Sequence, residues 1–151
     1  MALAGAVGSE PEGWLISESA WRSAAEERRY LRALRRYAHA AVFVADADER
    51  IVGRLSVARD PHPASYHVAD LGLMVAASYR RRGVGRALLD EAVDWARGAG
   101  VRKLELHVFP HNEPAISLYE KLGYEREGLR RRHYARSEGG YADVILMAKQ
   151  L

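Results

Sequence analysis

Tyr79-Arg80-Arg81-Arg82-Gly83-Val84-Gly85-Arg86-Ala87-Leu88-Leu89 joins three consecutive arginines to a Gly-x-Gly pair and then to an apolar pattern of helical period. Val84, Leu88, Ala92 and Trp95, flanked by Leu89 and Val93, recur at the spacing of a helix packed on one side. The glycines therefore mark a helix start. Such a start leaves backbone N–H groups without intrahelical partners and carries the positive end of the macrodipole, so it attracts an anion. Glycine lets the chain bring those N–H groups close to a phosphate, and arginine adds forked, permanently charged donors. Arg80, Arg81, Arg82, Gly83, Val84, Gly85 and Arg86 together read as a pyrophosphate cradle; the plainer alternative is a solvated arginine patch on a glycine-rich turn.

Spacing separates the sites that share this chemistry. A nucleoside-triphosphate loop needs Gly-x4-Gly-Lys followed by Ser or Thr, and the chain has no such run. A dinucleotide fingerprint needs Gly-x-Gly-x-x-Gly/Ala, but Leu88 stands at the third position and seven residues separate Val75 from Gly83. What remains is Arg80-x-x-Gly83-x-Gly85, which resembles the acyl-coenzyme A motif Gln/Arg-x-x-Gly-x-Gly/Ala of the GNAT superfamily of N-acetyltransferases.

The length, 151 residues, fits one domain spanning 1–151 with a core that needs no staples, and 48% hydrophobic with 28% charged residues is ordinary for a soluble globular chain. There is no cysteine, hence no disulfide, no thiol nucleophile and no thiolate metal site. No run has the length of a membrane span and no basic leader opens the chain, so a cytoplasmic protein with no membrane partner is expected. The net charge is only +3 and the arginines cluster at 80–86 and 130–136. Neither cluster forms a long basic helix or alternates with aromatic stacking platforms, so a compact phosphorylated ligand is expected rather than nucleic acid.

In chain order, residues 1–16 read as irregular, interrupted by Gly5, Gly8, Pro11 and Gly13. A helix is predicted over about 17–37, its arginines a solvated face. A hairpin follows over 40–45 and 50–59, then a strand over 66–75, the cradle and its helix to about Arg97, and a strand over 103–109 whose leucines alternate with Lys103, Glu105 and His107. The strand-helix-strand unit should be a right-handed crossover joining parallel neighbours. Asn112 caps a helix with Pro114 in its first turn, ending at Gly123, and a last hairpin spans 124–135 and 141–149.

This order is an α+β layout around one mixed sheet. It is also the order of GNAT folds, so the resemblance extends over roughly residues 40–151. His67-Val68-Ala69-Asp70-Leu71-Gly72-Leu73-Met74-Val75, the run Asn112 to Tyr124 and the closing Tyr141-Ala142-Asp143-Val144 carry it. Within the superfamily the chain looks like the branch of L-amino-acid and phosphinothricin-type acetyltransferases. The resemblance implies a mostly antiparallel sheet with one parallel pair splayed around acetyl-CoA, flanked by helices. It also implies that the family's first strand is truncated here, which would leave the strand at 40–45 with an unpaired edge. Self-association as a homodimer, or a weakly stable N-terminal half, is then expected.

Acetyl transfer to an amine needs an unprotonated nucleophile, a polarised thioester carbonyl and a protonated leaving thiolate, and it requires no metal. The resemblance assigns Tyr119 as the acid for the thiolate; on pattern alone Tyr119 is a core aromatic in step with Ile116 and Leu122. It gives Leu73, Met74 and Val75 backbone contacts to pantetheine, and sets Asn112, already a helix cap, beside the same arm. Asp70 stands where many family members carry a glutamate that deprotonates the amine, often through water; equally it reads as a surface acid beside a loop arginine. His107 and His111 are not a metal pair, because residues four apart on a strand lie about 13 Å from each other. The expected activity is direct attack by the primary amine of a small molecule, an amino acid or similar compound. A protein N-terminal or lysine acetyltransferase shares every motif, and the segments at 10–40 and 130–140 decide between these acceptors; a non-catalytic acyl-CoA-binding module would keep the cradle without the chemistry, and thiolate release separates it.

Overall fold

The computed structural model describes residues 2–16, 23–34 and 36–151. Its elements are α1 (Ala2–Gly8), α2 (Ala24–Leu34), β1 (Ala40–Ala47), β2 (Arg50–Arg59), β3 (Val68–Val75), α3 (Val84–Gly98), β4 (Lys103–Val108), α4 (Glu113–Lys121), β5 (Glu125–Ala135) and β6 (Tyr141–Gln150). One six-stranded sheet runs β1-β2-β3-β4-β6-β5, antiparallel throughout except for the β3–β4 pair. The α+β mixed sheet expected from the sequence is therefore present, and the crossover through α3 joins parallel neighbours.

That parallel ladder is short. It pairs Val68 with Lys103, Ala69 with Leu104 and Asp70 with Glu105, and then stops. Beyond this rung β3 stays on β2 as far as Val75, while β4 stays on β6 as far as Val108. The two strands thus part in the middle of the sheet, and the gap opens toward the start of α3.

The core lies where α3 and α4 cover one face of the sheet. Leu88, Leu89, Ala92, Val93 and Ala96 from α3 pack on Leu55, Val57, Leu71, Leu104 and Leu106, with Ile116 and Tyr119 joining from α4. Period-two alternation in β4 sends Leu104, Leu106 and Val108 inward and leaves Lys103, Glu105 and His107 half-buried on the other face. Helix α3 approaches β2 so closely that a Cβ on Gly53 would lie 2.9 Å from both Val84 and Leu88. A larger residue there would push the ends of those two side chains aside.

On the opposite face, Arg54 of β2 pairs with Glu27 of α2 at 2.8 Å. The arginines Arg28, Arg29 and Arg32 of α2 are exposed, the solvated face read from the sequence. The helix predicted over 17–37 is helical over Ala24–Leu34, and 17–22 and Arg35 lie outside the described residues.

The N-terminal segment departs from its reading as irregular. Ala2–Gly8 is helical, with Leu3 and Val7, one turn apart, buried against β2 and β3. Tertiary burial of that pair outweighs Gly5 inside the helix. Among the described residues β1 pairs only with β2, so its other edge has no strand partner.

Candidate active site

The α3 N-terminus is uncapped and open. Gly83 caps it at φ 84°, no side chain caps its free N–H groups, and a Cβ on Gly83 would meet nothing within 4 Å. The space above is open. Arg81, Arg82 and Arg86 are exposed around it, with Arg82 over the Tyr79 ring at 5.1 Å and Arg86 only loosely paired to Asp90 at 3.7 Å. Unpaired N–H groups and exposed guanidinium forks fit a pyrophosphate.

Two residues of the motif have other partners. Arg80 donates Nε to the Val75 carbonyl at 3.0 Å, grips both carboxylate oxygens of Glu10 at 2.7 Å and stacks over Trp14 at 4.8 Å. It fastens the N-terminal segment to the end of β3 rather than facing the open space with its neighbours. Gly85 is a close-packing position, since a Cβ there would lie 3.1 Å from Leu118 of α4, with Leu73 and Val75 next nearest. Val84 is half-buried at the rim of the core.

Leu73, Met74 and Val75 lie in the part of β3 that β4 has left, each half-buried and paired with β2 alone. Tyr119 is buried on α4, its ring 5.7 Å from that of Tyr124, and its hydroxyl has no hydrogen-bond partner among the described residues. Burial raises its pKa, so the phenol keeps its proton at neutral pH. Asn112 is buried, and its side chain accepts a bond from the Ala115 N–H at 3.3 Å, the helix cap foreseen from the sequence.

Asp70 sits on the last rung of the parallel ladder. Its β2 partner, Ala58, shares a face with Arg54, so Asp70 points away from α3. The residue is exposed, yet side chains of neighbouring strands crowd its carboxyl. Desolvation, reinforced by the charge of Glu105 and opposed by that of Arg130, raises the pKa to about 6.

Around Asp70 lie groups that sequence reasoning missed. His107 shares its face, and its Nδ1 is 2.8 Å from Tyr134 Oη. Desolvation, with the charges of Arg130 and His133, lowers the His107 pKa to about 4. The alternation Glu105-Leu106-His107 puts these two side chains on one face, and the pairing of Asp70 with Glu105 adds Asp70 to it. The link to β5 had no signal in the sequence, because it depends on a bulge between Arg130 and Tyr134.

The segments expected to shape the acceptor site do meet. Arg136 Nη1 donates to the carbonyls of Leu15 at 3.3 Å and Ile16 at 3.4 Å, and a His111 ring nitrogen is 3.0 Å from the Glu12 carbonyl oxygen. Between them is an open cleft of about 470 Å³ lined by Glu12, Phe109, His111, Arg136, Tyr141 and Asp143. His107 and His111 thus serve different neighbourhoods.

Known proteins share this arrangement. The sequence profile described as the Acetyltransferase (GNAT) family matches residues 12–124. The L-amino acid N-acetyltransferase AaaT of Escherichia coli (strain K12) is 39% identical over 110 residues, covering 70% of this chain and 65% of that protein. The [ribosomal protein bS18]-alanine N-acetyltransferase of the same organism is 41% identical over 76 residues, 50% of this chain and 51% of that one. The chain therefore matches between half and two thirds of the length of these two relatives. An acetyltransferase of the GNAT family from Streptococcus pneumoniae superposes with a TM-score of 0.88 at 28% identity, over 99% of this chain and 90% of the other. With its splayed parallel pair and uncapped α3 N-terminus, the chain belongs to the GNAT acetyltransferase family.

Proposed function

We propose that the protein is an acetyl-CoA-dependent N-acetyltransferase whose acceptor is the primary amine of a small molecule, an amino acid or amino-acid-like compound. The observation that supports this reading is the open, uncapped α3 N-terminus at the end of the gap where β3 leaves β4 just past Asp70, with a buried, protonated Tyr119 on α4. In this reading Gly83 and the free N–H groups of α3, with Arg81, Arg82 and Arg86, hold the pyrophosphate. Arg80 acts as the strut that fixes the cradle, and Gly85 lets α4 close against it. Backbone groups of Leu73, Met74 and Val75 receive the pantetheine arm beside Asn112.

The chemistry needs a base and an acid. Asp70 takes one proton from the acceptor ammonium, directly or through water. The amine then attacks the thioester carbon; a C–N bond forms and the C–S bond breaks. Tyr119 gives its proton to the departing thiolate and is restored by the second proton lost from the nitrogen, so the net release is one proton to solvent. No metal enters this scheme.

A second reading, acetylation of a protein N-terminus, is favoured by the likeness to the bS18-alanine enzyme. Thiol release from acetyl-CoA in the presence of free amino acids, aminoglycosides and peptides tests both. Turnover with amino acids supports the first reading, turnover confined to peptides supports the second, and tight coenzyme A binding with no turnover leaves a non-catalytic binding module. The described helices include none long and apolar enough to cross a membrane, which is compatible with the cytoplasmic location proposed for this reaction.

A further inference from the structure

The open face of the sheet carries more polar groups beside Asp70 than acyl transfer requires. Tyr134 reaches from β5 to His107 on β4, Oη to Nδ1 at 2.8 Å. A bulge directs it there. Arg130 lies opposite Val144 and Tyr134 opposite Ala142, so Arg131, Arg132 and His133 stand against Asp143 alone. Arg132, at φ 50°, donates its N–H to Asp143 Oδ1 at 2.6 Å and fixes the bulge. His133 then packs edge-on against both rings, with centroids 5.1 Å from His107 and 4.7 Å from Tyr134.

The direction of the Tyr134–His107 bond decides what His107 offers. Burial and the charge of Asp70 raise the Tyr134 pKa, against a lowering effect of Arg130, so the phenol stays protonated. The imidazole is neutral at pH 7. A phenol is the better donor and an imidazole nitrogen the better acceptor, so Oη–H donates to Nδ1 and the ring proton is assigned to Nε2. His107 is therefore a fixed N–H donor. Arg130 is exposed and makes no hydrogen bond or ion pair among the described residues, while its charge acts on Asp70, His107 and Tyr134 alike. Of the two carboxylates on the rung, Glu105 already has Lys103 at 3.5 Å. Asp70 is the one left for an incoming cation.

Building on the acetyltransferase reading, we propose that Arg130 and the Nε2–H of His107 bind the carboxylate of the acceptor while Asp70 receives its ammonium, which makes the acceptor a free α-amino acid. A zwitterion carries both charges on neighbouring atoms, and the face offers a guanidinium fork with an N–H donor next to a carboxylate. The N-terminal residue of a protein has a neutral amide where the amino acid has a carboxylate. It would leave Arg130 without a counter-charge in the occupied site.

The experiment compares free L-amino acids with their C-terminal amides and with short peptides. It follows acetyl-CoA thiol release and, in parallel, calorimetric binding of each acceptor to the protein saturated with coenzyme A. Wild type should favour at least one free acid over its amide by about 10- to 100-fold in kcat/KM, the scale of a charge-assisted hydrogen bond. In Arg130→Gln that preference should collapse toward one, chiefly through KM. His107→Phe should erode it as well, and His107→Asn, which keeps an N–H donor, should restore part of it. Equal use of acid and amide by wild type, preference for peptides, or a preference that survives Arg130→Gln would overturn the inference while leaving an acetyltransferase standing. Absence of turnover with every amine would instead remove the enzymatic reading, and calorimetry would then judge the carboxylate site through the same comparison of acid with amide.

Discussion

Arg80 and Glu10 form a two-pronged ion pair, Nη1 and Nη2 each 2.7 Å from a carboxylate oxygen, which ties the segment after α1 to the first residue of the cradle motif. Trp14 covers the guanidinium, and the paired side chains are only 25% and 16% exposed. Breaking the pair should therefore cost more than a surface salt bridge and less than a fully buried one, about 1–2 kcal/mol. Glu10→Gln is expected to lower the melting temperature and to weaken coenzyme A several-fold by loosening the cradle. A gain in affinity would mean instead that Glu10 competes with phosphate for Arg80.

Arg86 gives the cleaner probe of the proposed anion site. It is exposed in the first turn of α3 and, among the described residues, is held only by Asp90 at 3.7 Å, so its loss should leave the fold intact. Arg86→Glu replaces a cation by an anion at the positive end of the helix and should weaken coenzyme A by about tenfold or more. Titration calorimetry beside a circular-dichroism melt checks this. Gly85 is a poorer choice, because a side chain there meets Leu118 and mixes a packing defect with any change in binding.

Tyr119→Phe removes a hydroxyl that has no partner among the described residues, so little stability should be lost. If that hydroxyl protonates the thiolate, kcat should fall by about 10²- to 10⁴-fold with coenzyme A affinity unchanged. Turnover equal to wild type would reduce Tyr119 to a packing residue and leave protonation to water.

Local rules made most of this fold legible. β4 announces itself by alternation, β1 by a short apolar run before a turn, and α4 by Asn112 and Pro114 at its start. The helical period after Gly83 placed α3, and the GNAT likeness then supplied Tyr119 and Asp70. Long-range pairings stayed hidden. Nothing near Arg80 points to Glu10, and the bond from Tyr134 to His107 depends on a bulge whose register no alternation encodes. Residues 2–8 misled because two glycines outweighed Leu3 and Val7, whose burial only tertiary contacts provide.

Among the described residues the outer edge of β1 has no strand partner, which bears on association. Val44 is 51% exposed on that strand, and Ile51 across the turn is 52% exposed. An unpaired edge with apolar side chains recruits other chains. Light scattering after size exclusion should detect a dimer that dissociates on dilution, and Val44→Lys should shift it to monomer. A monomer with strongly protected amides along residues 40–47 would mean the edge is covered.

Asp70 provides the last test, because its two consequences for pH run in opposite directions. As a base it must be ionised, so activity should rise as pH passes about 6, and Asp70→Asn should lower activity and remove that limb. For stability the sign reverses. The folded-state pKa, about 6, lies above the ordinary 3.8, so folding favours the protonated acid. The stability this contributes is complete below the ordinary value and is lost as pH climbs through about 6. Asparagine, which stays neutral, avoids that loss next to Glu105. Thermal melts should therefore show Asp70→Asn gaining on wild type as pH rises from about 4 to about 6, with the gain then held at higher pH, where its activity falls behind. A stability difference that does not change with pH would show that the carboxyl is fully solvated, and the neighbourhood assigned to it on the sheet face would then be wrong.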